Sequence, residues 1–350
     1  MELSEKLISW FLKEARNLPW RNTRNPYHIW LSEVILQQTR VQQGLSYYHR
    51  FIEHFPDLPD LAAASEEEVL GIWQGLGYYS RGRNLLETAR NIMEKHKGVF
   101  PDSYHQLIQL KGIGPYTAAA VAAFAFNENV MAVDGNVIRV ICRLFGVEED
   151  VRKSSTRKQI DAIAKELLPK GKAWEFNQAM MEFGATLCKP GRPNCNQCPV
   201  TIHCVAFKKK VQDRLPYKSK PNPKHTRYFQ YLLVFCNGQF AFRKRDQKDI
   251  WQGLFEPALQ ETNTADAWES QPNFLFSSIA SFQPELCRQL KPRKCLLSHQ
   301  EIHIRTWLFL PKTKPILNGF RWVSMDEIQS LPKPVIFSKI LPEALSALYI

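Results

Sequence analysis

A chain of 350 residues with a formal net charge of +12 and a pI of about 9.3 has the length for two domains, each with its own core. Its excess of positive charge favours polyanionic partners, nucleic acid before an anionic membrane. No apolar run reaches the ~18 residues of a membrane span, and the amphipathic start from Met1 to Asn17 has no apolar signal core or small-residue cleavage site, so the expectation is a cytoplasmic protein without a membrane partner.

Residues 1 to about 187 read as helices. Leu3, Leu7, Ile8, Phe11 and Leu12 recur at helical spacing. Pro19-Trp20-Arg21 and Asn25-Pro26 mark an irregular connection. His28 to Phe51 then reads as one long helix carrying Ile29, Trp30, Val34, Ile35, Leu36 and Val41. Ser65 with Glu68 forms a capping box ahead of Val69, Leu70, Ile72 and Trp73. Gly75-Leu76-Gly77-Tyr78-Tyr79 is a turn, and Arg81 to Lys95 a further helix.

Leu110-Lys111-Gly112-Ile113-Gly114-Pro115-Tyr116 next reads as a tight turn between two helices, the second running through Ala118 to Phe124. Gly112 and Gly114 let backbone N–H groups come close to a ligand, and amides that open a helix suit a phosphate. An alanine-rich core helix behind a glycine turn has the same pattern. Asp134 follows as an isolated carboxylate in Val133-Asp134-Gly135-Asn136-Val137. Thr156 to Leu168 and Lys172 to Leu187 complete the helical part.

Eight cysteines are present, and four of them, Cys188, Cys195, Cys198 and Cys204, crowd one loop as C-x6-C-x2-C-x5-C. In a chain of this size without an export signal, such clustering points to metal or cluster ligation rather than disulfides. Zinc sites favour two close pairs separated by a longer insert. Four thiolates wrapped in one short loop suit a compact [4Fe–4S] cluster, with zinc, and His203 as a ligand, as the alternatives.

From Lys208 to Arg227, Lys208-Lys209-Lys210 and Pro216, Pro221 and Pro223 describe a linker. Short strands follow: Tyr228 to Phe235, the turn Asn237-Gly238, and Gln239 to Arg243 form a hairpin. Glu301 to Leu310 and Gly319 to Val323 are further strands, and Met325 to Ile328 and Ser338 to Leu348 short helices. The expected division is therefore 1–207, all-α, with the cysteine loop at 188–204; 208–227, linker; and 228–350, α+β.

Glu33 sits among Trp30, Val34, Ile35 and Leu36. A helical Glu is ordinarily exposed. One that faces a pocket has its pKa raised by burial and keeps a proton to donate, and with Asp134 it would give two carboxylates with separate tasks, as in sugar-bond cleavage.

Taken together, Pro19-Trp20-Arg21, Ser32-Glu33-Val34-Ile35-Leu36-Gln37-Gln38-Thr39, Gly75 to Arg81, the glycine hairpin, Val133 to Val137 and the cysteine spacing resemble the MutY-type adenine DNA glycosylases of the helix-hairpin-helix, endonuclease III superfamily, over most of the chain. The resemblance implies a multidomain protein, with an all-α helix-hairpin-helix domain carrying a [4Fe–4S] loop and an α+β, Nudix-like C-terminal domain. It implies a monomer acting on double-stranded DNA and releasing adenine paired with 8-oxoguanine, or with guanine, by base flipping. Glu33 would protonate N7, Asp134 would stabilise the oxocarbenium-like sugar, and Tyr116 and Asn136 would position them. Tyr116 stands where bifunctional relatives carry a Schiff-base lysine, so the expected activity stops at an abasic site. Trp20, Arg21, Leu36 and Gln178 match positions lining the adenine pocket, and Gln38 and Tyr78 match intercalating residues.

Leu297-Ser298-His299 occupies the place of a Phe-Ser-His loop that reads 8-oxoguanine, with Leu297 where Phe is usual. Asp249 to Pro257 resembles a Nudix core segment without the acid-rich run that would hold Mg²⁺. Two rival readings share many of these features. One is an endonuclease III-like glycosylase for oxidised pyrimidines, against which Tyr116 and the C-terminal domain argue. The other is a non-catalytic iron–sulfur DNA-binding protein, against which the retention of both Glu33 and Asp134 argues.

Overall fold

The computed structural model describes residues 2–220, 223–262, 264–265 and 284–348. Pro221 and Asn222 of the expected linker, and residues 263, 266–283 and 349–350 of the expected C-terminal domain, lie outside them. The chain forms two compact units, Met1–Ala63 with Asn84–Lys220, and Ala64–Arg83 with Pro221–Ile350. No helix among the described residues is long and apolar enough to cross a membrane.

The first unit is all-α, as its periodicity predicts. Its helices are α1 (Glu2–Glu14), α2 (Pro26–Leu36), α3 (Val41–His54), α4 (Leu58–Ala63), most of α6 (Ser80–His96), α7 (Tyr104–Leu107), α8 (Pro115–Phe126), α9 (Gly135–Phe145), α10 (Ser154–Leu167), α11 (Ala173–Thr186) and α12 (Val205–Lys209). Helix α8 is the hub: Thr117 through Phe124 are buried on every side, which is why this stretch is apolar throughout rather than striped. Helices α2, α7 and α11 pack around it, and α9 packs on α11.

Two details matter for the site. The pattern from His28 to Phe51, predicted as one helix, is two: α2 stops at Leu36 and α3 begins at Val41. Gln38 in the break has φ +58, and the Gln37 amide donates to Thr117 Oγ1 of α8 at 3.1 Å. The break is held by a tertiary contact, so the local sequence contains neither Gly nor Pro to signal it. The second detail is that Asp134 is the N-cap of α9, a helix whose other end is closed by Gly146 in the left-handed conformation.

Much of the stretch expected as linker is tied to this unit. Arg143 Nε donates to the Leu215 carbonyl at 3.0 Å, and Val151 N to that of Tyr217 at 3.1 Å.

The second unit contains α5 (Glu66–Trp73), whose Ser65–Glu68 capping box is formed in full, and a mixed sheet. The strands are β1 (His225–Cys236), β2 (Gln239–Lys244), β3 (Phe255–Glu256), β4 (Ala258–Thr262), β5 (Pro284–Gln289), β6 (Arg293–Leu296), β7 (Gln300–Pro311) and β8 (Arg321–Ser324). Their order is β3-β2-β1-β7-β5, with β4 against β1, β6 against β7 and β8 against β2. The Asn237-Gly238 turn is the predicted two-residue hairpin, both residues having positive φ.

Among the described residues only β1 and β7 pair in parallel, and residues 229–234 of β1 are buried without alternation, as expected of a strand covered on both faces. One face packs Phe229, Tyr231 and Phe242 against α14 (Phe337–Ser346) and α13 (Met325–Ser330) through Phe337 and Ile328. The other gathers Leu232, Val234, Trp307 and Phe309.

Candidate active site and cysteine loop

In the first unit a cavity of about 670 Å³ is lined from five directions. Trp20 and Arg21 come from the short helical turn Pro19–Arg21, Glu33 and Leu36 from α2, and Gly112, Gly114 and Tyr116 from the hairpin into α8. Asp134 and Asn136 come from the start of α9, and Gln178 and Glu182 from α11. Apart from the four cysteines, the sequence-predicted site residues of this unit thus converge around one cavity, Gln38 among them.

Glu33 is 7% exposed. Tyr116 Oη donates to Glu33 Oε2 at 2.6 Å. Burial pushes the Glu33 carboxyl up to about 7; the Tyr116 bond opposes the rise, Asp134 adds to it and Arg21 opposes it. Burial and the neighbouring carboxylates push the Tyr116 phenol well above its ordinary value, so Tyr116 keeps its proton and acts as the donor.

Asp134 is held differently. Oδ1 accepts from Asn136 N at 2.9 Å and Val137 N at 2.7 Å, and Oδ2 accepts from Asn136 Nδ2 at 2.7 Å. Burial raises its pKa from the ordinary value, while these three bonds and Arg139 work against the rise. Two carboxylates therefore flank one cavity. One has a single donor and an easily kept proton; the other is fixed at a helix N-terminus by donors that favour its anion.

Gly112 is demanded by the protein itself: its φ is +83, and a Cβ there would lie 2.7 Å from Asn84 Cβ. Gly114 is different, since a Cβ on it would meet nothing within 4 Å. The bare backbone at Gly114 faces the open cavity, and α8 begins at the next residue. Thr88 Oγ1 binds the carbonyls of Asn84 and Lys111, pinning the turn to α6.

Several contributors are not evident from the sequence. Glu182, fully buried on α11, accepts from Arg16 and Arg21, and Arg21 Nε also donates to Gln178 Oε1 at 2.8 Å. Arg139, one turn into α9, donates to Asn136 Oδ1 at 2.8 Å, the Gly184 carbonyl at 2.6 Å and the Cys188 carbonyl at 2.8 Å. Arg143, one turn further, donates to the Lys189 carbonyl at 2.8 Å and approaches Cys188 Sγ at 3.3 Å. Arg139 and Arg143, spaced i, i+4 in an otherwise apolar helix, are the signal that could have identified this face.

The four cysteines of the loop are free thiols lining one small pocket with Arg143 and Thr201. Burial pushes Cys195, Cys198 and Cys204 up, and each also feels repulsion from other members of the set. Four thiols ringing a space beside a guanidinium form an all-sulfur donor set suited to a polynuclear iron–sulfur group.

In the second unit, Tyr78 has φ +48 and is 42% exposed. It lines a pocket of about 410 Å³ with Trp251 and with Leu297, Ser298 and His299, which form the tip between β6 and β7. Ser298 Oγ lies 3.1 Å from His299 Nδ1. Leu297 is half-buried against the sheet core, whereas Ser298 and His299 are exposed. In the first unit Gln38 is likewise an exposed residue with left-handed backbone, a conformation that puts strain on a side chain other than glycine.

Residues 31–170 match the HhH-GPD superfamily of base excision DNA repair proteins, and residues 230–343 match the NUDIX domain. An adenine DNA glycosylase of Buchnera aphidicola subsp. Baizongia pistaciae is 31% identical over 96% of this chain and 95% of its own length. The rat adenine DNA glycosylase is 45% identical over 60% of this chain, and the match spans 42% of that longer protein. The solved structure of a thermostable thymine-DNA glycosylase superposes with a TM-score of 0.54 at 29% identity, covering 59% of this chain and 96% of that one.

Proposed function

This chain belongs to the adenine DNA glycosylase family, and on that premise we propose that it hydrolyses the N-glycosidic bond of adenine paired with 8-oxoguanine or guanine in duplex DNA, leaving an abasic site. The observation that carries the reading is the Tyr116–Glu33 hydrogen bond in a cavity that a helix-capping Asp134 also lines.

The adenine is turned out of the duplex into this cavity, where Trp20, Arg21, Leu36 and Gln178 line its binding site. Glu33, with a pKa of about 7, is protonated often enough at neutral pH to donate to N7 and make adenine a better leaving group. Tyr116 occupies Oε2, which leaves Oε1 to carry the transferable proton. As the C1′–N9 bond breaks, positive charge grows on the sugar. Asp134, held as an anion by Asn136 and the Val137 amide, stabilises it, and water adds at C1′. Tyr116 has no amine to form an imine, so the reaction ends at the abasic site.

The open approach to Gly114 supports a contact between the hairpin amides and a backbone phosphate. Gln38 and Tyr78, exposed on strained backbone, are the residues to enter the base stack, and Ser298 and His299 offer a hydroxyl and an imidazole to the lesion. Cys188, Cys195, Cys198 and Cys204 would hold a [4Fe–4S] cluster, which when bound supplies a compact cationic core that anchors their loop.

The test is release from duplexes containing A:8-oxoguanine, A:G or thymine glycol. Free adenine from the first two is expected, with strands intact until alkali is added. Excision from thymine glycol alone would overturn the substrate assignment, and strand scission without alkali would overturn the monofunctional mechanism.

A further inference from the structure

The cavity that Glu33 and Asp134 line also carries a buried charge cluster centred on Glu182, a residue that the mechanism above does not use. Glu182 is fully buried. Its Oε1 accepts from Arg16 N at 3.1 Å and Arg16 Nε at 2.6 Å, and its Oε2 from Arg16 Nη2 at 2.7 Å and Arg21 Nη2 at 2.8 Å. Burial works to raise its pKa, but the two guanidinium groups hold it at about 2, so Glu182 is an anion throughout the working range. Arg21 is also fixed by Gln178, one helical turn before Glu182 on α11. A guanidinium lining the same cavity as an acid that must stay protonated is a liability, because its field favours loss of the proton.

We propose that Glu182 is a positioning residue for base release: by pairing with Arg21 and Arg16 it offsets one of the two positive charges of that cluster, so that Arg21 can line the adenine site while Glu33 retains its proton. This rests on the function proposed above. The charged and titratable groups facing Glu33 are Tyr116 from α8, Asp134 ahead of α9 and Arg21, with Arg16, Arg157 and Glu182 further around the cavity. Of these, Tyr116 through its hydrogen bond and, to a smaller extent, Arg21 through its charge oppose protonation of Glu33, and Glu182 is directly bonded to Arg21.

The test is the pH profile of single-turnover adenine release from an A:8-oxoguanine duplex. The Glu33 carboxyl is titrated in parallel by ¹³C NMR of glutamate-labelled free protein, with the resonance assigned by Glu33→Gln. In Glu182→Gln the inflection is expected to move down by about one pH unit, as an uncompensated guanidinium pulls on the acid, and Glu182→Asp should restore most of the shift.

Removing one member of a buried ion cluster can prevent folding, so Arg16→Met supplies a second test. That side chain is 40% exposed, and its loss leaves Glu182 and Arg21 as a one-to-one pair, with one positive charge fewer in the cluster, so the inflection should move up. A purely structural Glu182 would lower the rate at every pH and leave both inflections in place, and that result overturns the proposal. If the wild-type protein releases no adenine, the proposed function fails, whereas the NMR titration still decides whether Glu182 governs the Glu33 proton.

Discussion

Glu33→Gln should separate the stability of the helical unit from its chemistry. In the folded protein Glu33 has a pKa of about 7, against 4.5 for an unperturbed carboxyl. A folded-state pKa above the unfolded one means that the stabilising balance is complete below about 4.5 and is lost as pH rises through about 7. Above that point the shift corresponds to about 3 kcal/mol of destabilisation, because an ionised carboxylate is buried in the wall of the cavity. Glutamine has nearly the same shape and can still accept the Tyr116 hydroxyl, but it has no charge to bury. At pH 8 the variant should therefore be the more stable protein by up to about 3 kcal/mol, roughly 6–12 °C in the melting of a unit this size, while base release is abolished. Near pH 4.5 the two melting temperatures should approach each other. Melting at pH 4.5, 6 and 8 decides the matter: a gap that is constant with pH, or one that widens toward acid, refutes the assignment of Glu33 as a buried, reluctantly ionised acid.

The remaining expectations concern the groups around it. Tyr116→Phe removes the donor that opposes the rise in the Glu33 pKa. A hydrogen bond to a charged group is worth about 1.5–3 kcal/mol, so the inflection in the pH profile of adenine release should climb by about one to two units, and an unmoved inflection counts against the bond. Asp134→Asn keeps an N-cap oxygen for α9; melting should change by no more than about 1 kcal/mol while the single-turnover rate falls on the order of 10²–10³-fold, and a wild-type rate removes Asp134 from the cation-stabilising role. Ser298→Ala combined with His299→Ala should narrow the rate ratio between A:8-oxoguanine and A:G duplexes, an unchanged ratio ruling out lesion reading by that tip. Cys198→Ser should lower iron per chain and the absorbance shoulder near ~400 nm; zinc in place of iron in the wild-type protein would reject the cluster.

What could be read from the sequence was local chemistry. The Ser65–Glu68 box, the Asn237-Gly238 hairpin and the all-α to α+β change all follow from residues a few positions apart, and all are present. The break at Gln37–Arg40 was not legible, because hydrophobic periodicity runs through it and what holds it is the Gln37 contact to Thr117, far away in sequence. Helix α9 was missed although Asp134 followed by Val137, Ile138, Ile141 and Leu144 is a capped amphipathic pattern. Asp134 is both a candidate reactive carboxylate and the cap of this helix. Glu182 carried no signal at all, since its two arginine partners lie more than 160 residues earlier. Strands β5 and β6 were also missed: Arg293–Leu296 has charged residues and little alternation, and it is ordered by pairing with β7.

The division of labour between the two carboxylates follows from where the backbone places each, more than from how deeply each is buried. Burial is the largest influence on both and pushes both toward the neutral form. Glu33 lies inside α2, three residues before its end at Leu36, where the backbone amides are already used by the helix, so it depends on a side chain for a donor, and among the described residues Tyr116 is the one that donates to it. Asp134 lies at the start of α9, where unpaired amides are obligatory, and it collects two of them together with the Asn136 side chain. A helix-interior acid and an N-cap acid facing one cavity are thus driven apart in proton affinity by helix geometry itself, and the negative charge kept on Asp134 raises Glu33 further. Exchanging the two roles would require moving a helix terminus, which no single substitution in this fold accomplishes.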